Sequence, residues 1–370
     1  MKVLLVFRGN LGPVLGDGDL TIPEILLTRG TSHPSEVNAL LVAHWLQQDH
    51  GHEVHWYTRG TPGAGKPWTL RATGPDVDPA DYDLVLLWKI RGVKTAIEAG
   101  LFDRLVPGVR LATWFDAGGL AKLLTDDQRS KFTHIVWGTQ ALADSDGRGQ
   151  WGGVEQGVVE HATGILSTPT PELRQRRALY IGRLPAPYMR AVAECSATIP
   201  VDAFALSIPG AGGEKLSLRP GQYSPADLQT ARDIMSREAP GVRLMPAVNL
   251  TTEAANMSGY LFGLVPPTRI SPPQRNGASK AWDCWGLGLP VVLGENTPEA
   301  DHVRTAPIWL GELYDPGDTD SLRRAVDAVV ARAAMGAGQF LGEREAIQRW
   351  THDHHTYRHR AMELNDVLTR

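Results

Sequence analysis

Cysteine is nearly absent from this chain, and that scarcity closes off several classes. Two cysteines, Cys195 and Cys284, in 370 residues cannot build a disulfide framework or a Cys-rich zinc site. No apolar run is long enough to cross a bilayer. The opening "MKVLLVFRGN" meets Arg8 too soon to read as a signal peptide or a membrane span, so the cytoplasm is the expected compartment. Net charge is −4, which excludes a uniformly basic nucleic-acid coat but leaves room for a local basic patch. Internal repeats and low-complexity segments are also missing. What remains is 42% hydrophobic beside 21% charged residues, the composition of a globular protein whose length suits two domains better than one.

Short apolar runs punctuate the first half: "KVLLVF" (2–7), "EVHWYT" (53–58), "DLVLLW" (83–88), "RLATWF" (110–115) and "HIVWG" (134–138). Helical patterns separate them, the clearest being "SEVNALLVAHWLQQ" (35–48), with Pro34 and Glu36 suited to its first turn and Gly51 to its exit. Strands alternating with helices predict crossover units and a parallel sheet. "STPTPELRQRR" (167–177) interrupts the pattern as a linker would. The alternation restarts with "ALYIGRL" (178–184), "VDAFALSI" (201–208), "VRLMPAV" (242–248), "YLFGLVP" (260–266) and "PVVLG" (290–294). The expected fold is α/β, two tandem Rossmann-like doubly wound domains that face an interdomain cleft. Ligands of such domains bind beyond the carboxyl ends of the strands.

Those strand ends carry chemistry. Arg8 follows the first strand, Arg59 and Lys66 the second, and Lys89, Arg91 and Lys94 the third, while Trp88, Trp114 and Trp137 lie at three strand ends. One reading is an anionic ligand or acceptor with stacking surfaces for sugars or bases. The other is ordinary loop charge and tryptophans packed as core. In the second half Gly182 and Arg183 directly follow a strand, where glycine admits a phosphate to the backbone and arginine gives it a bidentate contact. Asp283 reads as lying near a helix start. There it can accept hydrogen bonds from ribose hydroxyls, or it is a solvated acid favoured by the helix dipole.

From Ala178 onward the chain resembles the retaining, nucleotide-sugar-dependent glycosyltransferases of the GT-B fold, and is glycosyltransferase family 4-like. The resemblance rests on "LYIGRL", "YLFGLVPP", "SKAWDCWGLGLPVV" and "LYDPGDTDSLRRAVDAVV" (313–330) in that order, with looser agreement through "NALLVAHWLQQDHGHEVHWYT" and "ADYDLVLLW". It implies an acceptor-binding domain at 1–166, a linker at 167–177, a donor-binding domain at 178–345 and a terminal helix at 346–370 that crosses back to the first domain. By position, Asp283 matches the acid that binds the donor ribose and Arg183 the arginine that neutralises the diphosphate. Three departures stand out. The second basic residue of the family pattern falls on Met189, with Arg190 adjacent. Its first glutamate falls on Arg275. The glycine pair before the first helix is replaced by "SHPSE" (32–36), and Gly9 and Gly12 stand in for close backbone approach.

The implied reaction moves a hexose from a nucleoside-diphosphate sugar, UDP- or GDP-linked, to an acceptor hydroxyl with retention. Arg183, Arg190 and Lys280 are the candidate catalytic cations at the diphosphate. Gly182, Arg275, Asp283, Gly9 and Gly12 complete the donor side, and Arg8, Lys89, Arg91, Lys94, Trp88 and Trp114 the acceptor side. No resident cofactor and no metal is expected, because arginine, lysine and helix N-termini supply the neutralising charge. The run His352, His354, His355 and His359 reads as a solvated or packing helix rather than a metal site. The acceptor stays open between a glycan or small metabolite and a hydroxymethylated pyrimidine in DNA, as in bacteriophage glucosylation, whose base would be flipped out of the stack. A non-catalytic nucleotide-sugar-binding protein is the alternative from another class. A dinucleotide oxidoreductase is disfavoured, since "RGNLGPVLG" lacks the G-x-G-x-x-G spacing.

Overall fold

Apolar runs separated by helices need crossover connections, and the chain uses them to build two largely parallel sheets. The computed structural model describes residues 1–7, 22–23, 26, 34–57, 71–73, 76–147, 149–210, 214–219, 223–248, 250, 252–267 and 277–370. They fall into two units. One is Met1–Gly164 with Thr356–Arg370, the other Ile165–Gln274 with Ala278–His355.

Unit 1 contains β1 (Lys2–Val6), β2 (Glu53–Tyr57), β3 (Arg71–Thr73), β4 (Leu84–Trp88), β5 (Arg110–Phe115), β6 (His134–Trp137) and β7 (Glu155–Val158). Their order is β3-β2-β1-β4-β5-β6-β7, with every pairing parallel. Helices α1 (Pro34–His50) and α2 (Lys89–Glu98) belong to the same unit. Leu4 and Val6 pack with Val85 and Leu87 in one apolar cluster, and the alternate residues Val3 and Leu5 are equally buried. A parallel sheet covered on both faces needs such continuous apolar strands. The strand order reverses between β1 and β4, so the binding edge of a doubly wound sheet lies beyond their carboxyl ends. There α2 starts with no intervening loop. A Cβ on Gly92 in its first turn would run into the Val6 carbonyl, so glycine is what lets the helix begin against β1.

Unit 2 repeats the scheme with β8 (Ala178–Arg183), β9 (Val201–Pro209), β10 (Lys215–Ser217), β11 (Val242–Pro246), β12 (Phe262–Val265), β13 (Val291–Gly294) and β14 (Gly311–Tyr314). The order is β10-β9-β8-β12-β13-β14, with β11 also on β9, and only β10 runs antiparallel to its neighbour. The longer helices are α3 (Ala186–Ser196), α4 (Pro225–Glu238), α5 (Ser279–Gly286), α6 (Thr319–Met335) and α7 (Ala337–His354). Side chains of β8 alternate between two clusters. Tyr180 joins Tyr188 and Val192, whereas Leu179 and Ile181 join Trp282 and Trp285. Near the amino end of this sheet Asp202, fully buried, accepts hydrogen bonds from Arg177, Arg243 and Tyr260. Three donors hold its carboxyl below the usual range despite burial. This buried charge serves the fold, because it lies away from the carboxyl edge.

The terminal segment is two helices rather than one. α7 ends at His354 in unit 2, and α8 (Tyr357–Leu368) packs in unit 1. Thr356 caps α8 reciprocally with His359. Arg358 pairs with Asp49 at 2.8 Å and lies over the Trp45 ring of α1.

Candidate functional site

At the carboxyl end of β8 the register shifts between Gly182 and Arg183, and Gly182 takes φ +113°. Lys280, the second residue of α5, reaches across this bulge. A Cβ on Gly182 would stand 2.7 Å from its Cε. The Lys280 ammonium donates to the Tyr180 hydroxyl at 3.0 Å and lies 4.6 and 4.4 Å from the centroids of the Tyr180 and Tyr188 rings. Tyr180 in turn donates its hydroxyl hydrogen to the Arg183 carbonyl. Gly182, Arg183 and Lys280 are therefore brought together by three local causes: a bulge, a missing side chain and an aromatic floor.

Among the described residues neither Lys280 nor Arg183 is hydrogen-bonded or ion-paired to a carboxylate. Burial first, and then the positive charge of Arg183, bring the Lys280 ammonium down to about 7. Arg183 itself is exposed. Lys280, together with the Arg183 charge it senses and with no described carboxylate paired to either, forms a place where an anionic group would be stabilised.

The remaining donor-side expectations fare differently. Asp283 is the fifth residue of the eight-residue α5 rather than a helix-start acid, one turn after Lys280 and partly buried. Its charge adds to burial in pushing up the Cys284 thiol. Arg190 pairs with Glu194 at 2.9 Å on the exposed face of α3, and Met189 packs against the core. Arg8, Gly9, Gly12, Arg59, Lys66 and Arg275 lie outside the described residues.

A second constellation sits at the carboxyl edge of unit 1, and only one of its members was anticipated. Lys89, the residue after β4, adopts φ +60°, a conformation costly for a residue with a side chain. Its Nζ is 2.8 Å from Asp116 Oδ2, and His161 Nε2 is 3.5 Å from the same oxygen. The side chains of Lys89, Asp116 and His161 are 10, 19 and 3% exposed. The Lys89 and His161 donors hold the Asp116 carboxyl far below the usual range. Burial keeps His161 low and neutral.

Trp88 and Trp114 are 2 and 1% exposed and stack on one another at 4.6 Å, 16° between planes. Lys89 lies over the Trp114 ring at 5.0 Å, His161 meets that ring edge-on, and the Trp114 indole donates to the Val159 carbonyl at 2.7 Å. Both tryptophans are thus packed as core, with their faces taken. Arg91 is partly buried and Lys94 exposed on α2. The histidines near the C-terminal end are engaged locally. His352 contacts the Gly286 carbonyl at 3.1 Å, His355 lies against Trp350 and Trp282, and His359 caps α8.

No protein-family model matches the chain, and no curated protein does either. Solved structures do. A sucrose-phosphate synthase from Thermosynechococcus elongatus superposes with a TM-score of 0.66 at 12% identity, covering 100% of this chain and 98% of that one. A glycosyltransferase from Rickettsia africae gives 0.62 at 9% identity over 99 and 97%. HepE of Anabaena gives 0.60 at 11% over 100 and 99%. The fold is that of the GT-B glycosyltransferases, two Rossmann-like domains in one chain.

Proposed function

We propose that this protein is a glycosyltransferase that transfers a hexose from a nucleoside-diphosphate sugar to an acceptor hydroxyl. The observation that carries the reading is the pair Arg183 and Lys280 at the carboxyl end of β8, which no carboxylate among the described residues neutralises. Departure of a nucleoside diphosphate develops negative charge, and preorganised cations stabilise that charge in the transition state more than in the ground state. Two fold neighbours are described with matching ligands: HepE in complex with UDP and glucose, and an Escherichia coli trehalose-6-phosphate protein bound with UDP-2-fluoro glucose. In this reading the donor is UDP- or GDP-linked and acts as co-substrate, and the UDP-bearing neighbours support the first of these. The reading assigns the ribose to Asp283, one turn along α5 from Lys280.

Retention fits a site where the leaving diphosphate itself helps remove the acceptor proton, so no strong base need stand beside it. Neutralisation by Arg183 and Lys280 makes the reaction independent of a resident metal. Unit 1 supplies the acceptor side.

The test incubates the purified full-length chain with a panel of UDP- and GDP-hexoses, in the presence and absence of EDTA, and reads diphosphate release together with acceptor mass. Release from at least one donor, unaffected by EDTA, is expected. Tight diphosphate binding with no turnover of any donor would make the chain a nucleotide-sugar-binding protein without catalysis.

A further inference from the structure

At the carboxyl edge of unit 1 the described residues include a carboxylate that is only partly engaged. Asp116 Oδ2 is shared by Lys89 Nζ and His161 Nε2, and the side chain keeps 19% exposure. Its Oδ1 has no hydrogen-bond partner among the described residues. We propose that Asp116, held in place by Lys89 and His161, is the hydroxyl-recognising carboxylate of the acceptor site, and that the acceptor is a neutral sugar or polyol rather than a polyanion such as DNA. The inference rests on the glycosyl-transfer reading above and specifies its acceptor.

Three observations support it independently of one another. Place comes first. Lys89 follows β4, Asp116 follows β5 and His161 lies just beyond β7, so three separate strand ends converge at the edge where doubly wound sheets bind ligands. Orientation comes second. Lys89 is held at φ +60°, and a strained backbone persists only where its surroundings over-determine it. Here the result is an ammonium fixed against one carboxylate oxygen while the other is left for a ligand.

Charge comes third. Lys89 is spent on Asp116 at 2.8 Å. His161 is neutral because burial opposes its protonation, and its Nδ1 is buried without a partner. With Nε2–H directed at Asp116, Nδ1 carries the lone pair, so it offers a phosphate no hydrogen to bind. The cluster therefore presents a carboxylate oxygen, a good acceptor for sugar hydroxyls and a repulsive one for phosphates. The tryptophans that a flipped base would stack upon already occupy one another's faces. Because its carboxyl is so acidic, Asp116 is a poor proton acceptor. It orients the acceptor hydroxyl and does not take its proton.

The test offers the wild-type chain neutral acceptors (D-glucose, D-mannose, D-galactose) and anionic ones (glucose 6-phosphate, hydroxymethylcytosine DNA) with the donor that turns over. It then repeats the series with Asp116→Asn. Mass gain on a neutral sugar is expected. In D116N the KM for that sugar should rise about 10- to 100-fold, while diphosphate affinity stays unchanged. Transfer only to the phosphate-bearing or DNA acceptors would overturn the proposal, as would a folded D116N with an unchanged sugar KM. The wild-type acceptor choice decides the matter even if D116N fails to fold. Donor hydrolysis with no transfer to any neutral sugar defeats this inference and leaves the donor reading intact. Absence of both hydrolysis and diphosphate binding defeats the donor reading itself.

Discussion

Two lysines stand at the carboxyl edges of the two sheets, each lying over aromatic rings, and they differ in one respect. Lys89 of unit 1 has a carboxylate at 2.8 Å. Lys280 of unit 2 has a tyrosine hydroxyl at 3.0 Å and no carboxylate among the described residues. A desolvated cation that is paired contributes to the fold, and removing it leaves a buried charge behind. A desolvated cation that is unpaired destabilises the fold and is kept because something else supplies the counter-charge. The same residue type thus holds a carboxylate in place in one unit and is left for an anionic ligand in the other.

Breaking the Lys89–Asp116 pair should have the largest effect. Lys89→Met strands the Asp116 carboxylate and is expected to cost about 3–5 kcal/mol of unfolding free energy, read from urea denaturation. A loss under about 1 kcal/mol would mean that the pair contributes no more than a surface ion pair does. Next in size is Arg183→Ala, which should lower the rate of transfer about 10²–10³-fold with the melting temperature unchanged. Full activity in this variant would remove the diphosphate assignment.

Lys280→Met sharpens the contrast because its two effects have opposite signs. Nucleoside diphosphate affinity should fall about tenfold, while thermal stability at pH 7 should rise. The sign follows from proton binding. The Lys280 ammonium is lowered from 10.5 to about 7 on folding, so between those values the unfolded chain binds the proton more tightly. Wild-type stability therefore gains with rising pH across about 7 to 10.5, and the variant should lack that rise. A K280M chain less stable than wild type at pH 7 would place Lys280 with Lys89, as a structural group. The smallest effect on diphosphate binding belongs to Gly182→Ala. Its Cβ meets Lys280 at 2.7 Å, and its φ of +113° suits no side chain. A stability loss of about 1–3 kcal/mol with a few-fold weaker diphosphate binding is expected.

How much of this was legible in the residues depends on burial. Strands such as "KVLLV" and "RLATWF" announce themselves because they are apolar along their whole length. β3, β7, β10 and β14 do not. β7 reads "EQGV" and is exposed or half-buried throughout, and β10 is three residues at a sheet margin, so neither needs an apolar run. Missing β7 hid His161, since nothing placed it beyond a strand. Asp116 had a signal: it directly follows "RLATWF", the same logic that singled out Arg183 after "ALYIG". Lys280 was found, but its partner was not, because contact between α5 and the β8 bulge depends on the absence of a side chain at Gly182. The tryptophans at strand ends were ambiguous in sequence. Packing resolves them as core, since Trp88 and Trp114 fall on paired positions of adjacent strands.

The most direct test of the unpaired-cation claim is calorimetric titration of the wild-type chain and Lys280→Met with UDP and GDP at pH 8, in buffers of different ionisation enthalpy. Diphosphate binding should return Lys280 to its charged form, so wild type should take up about one proton per ligand bound, and K280M none. Binding without proton uptake in wild type, or equal uptake in both chains, would contradict the assignment of Lys280 to the diphosphate.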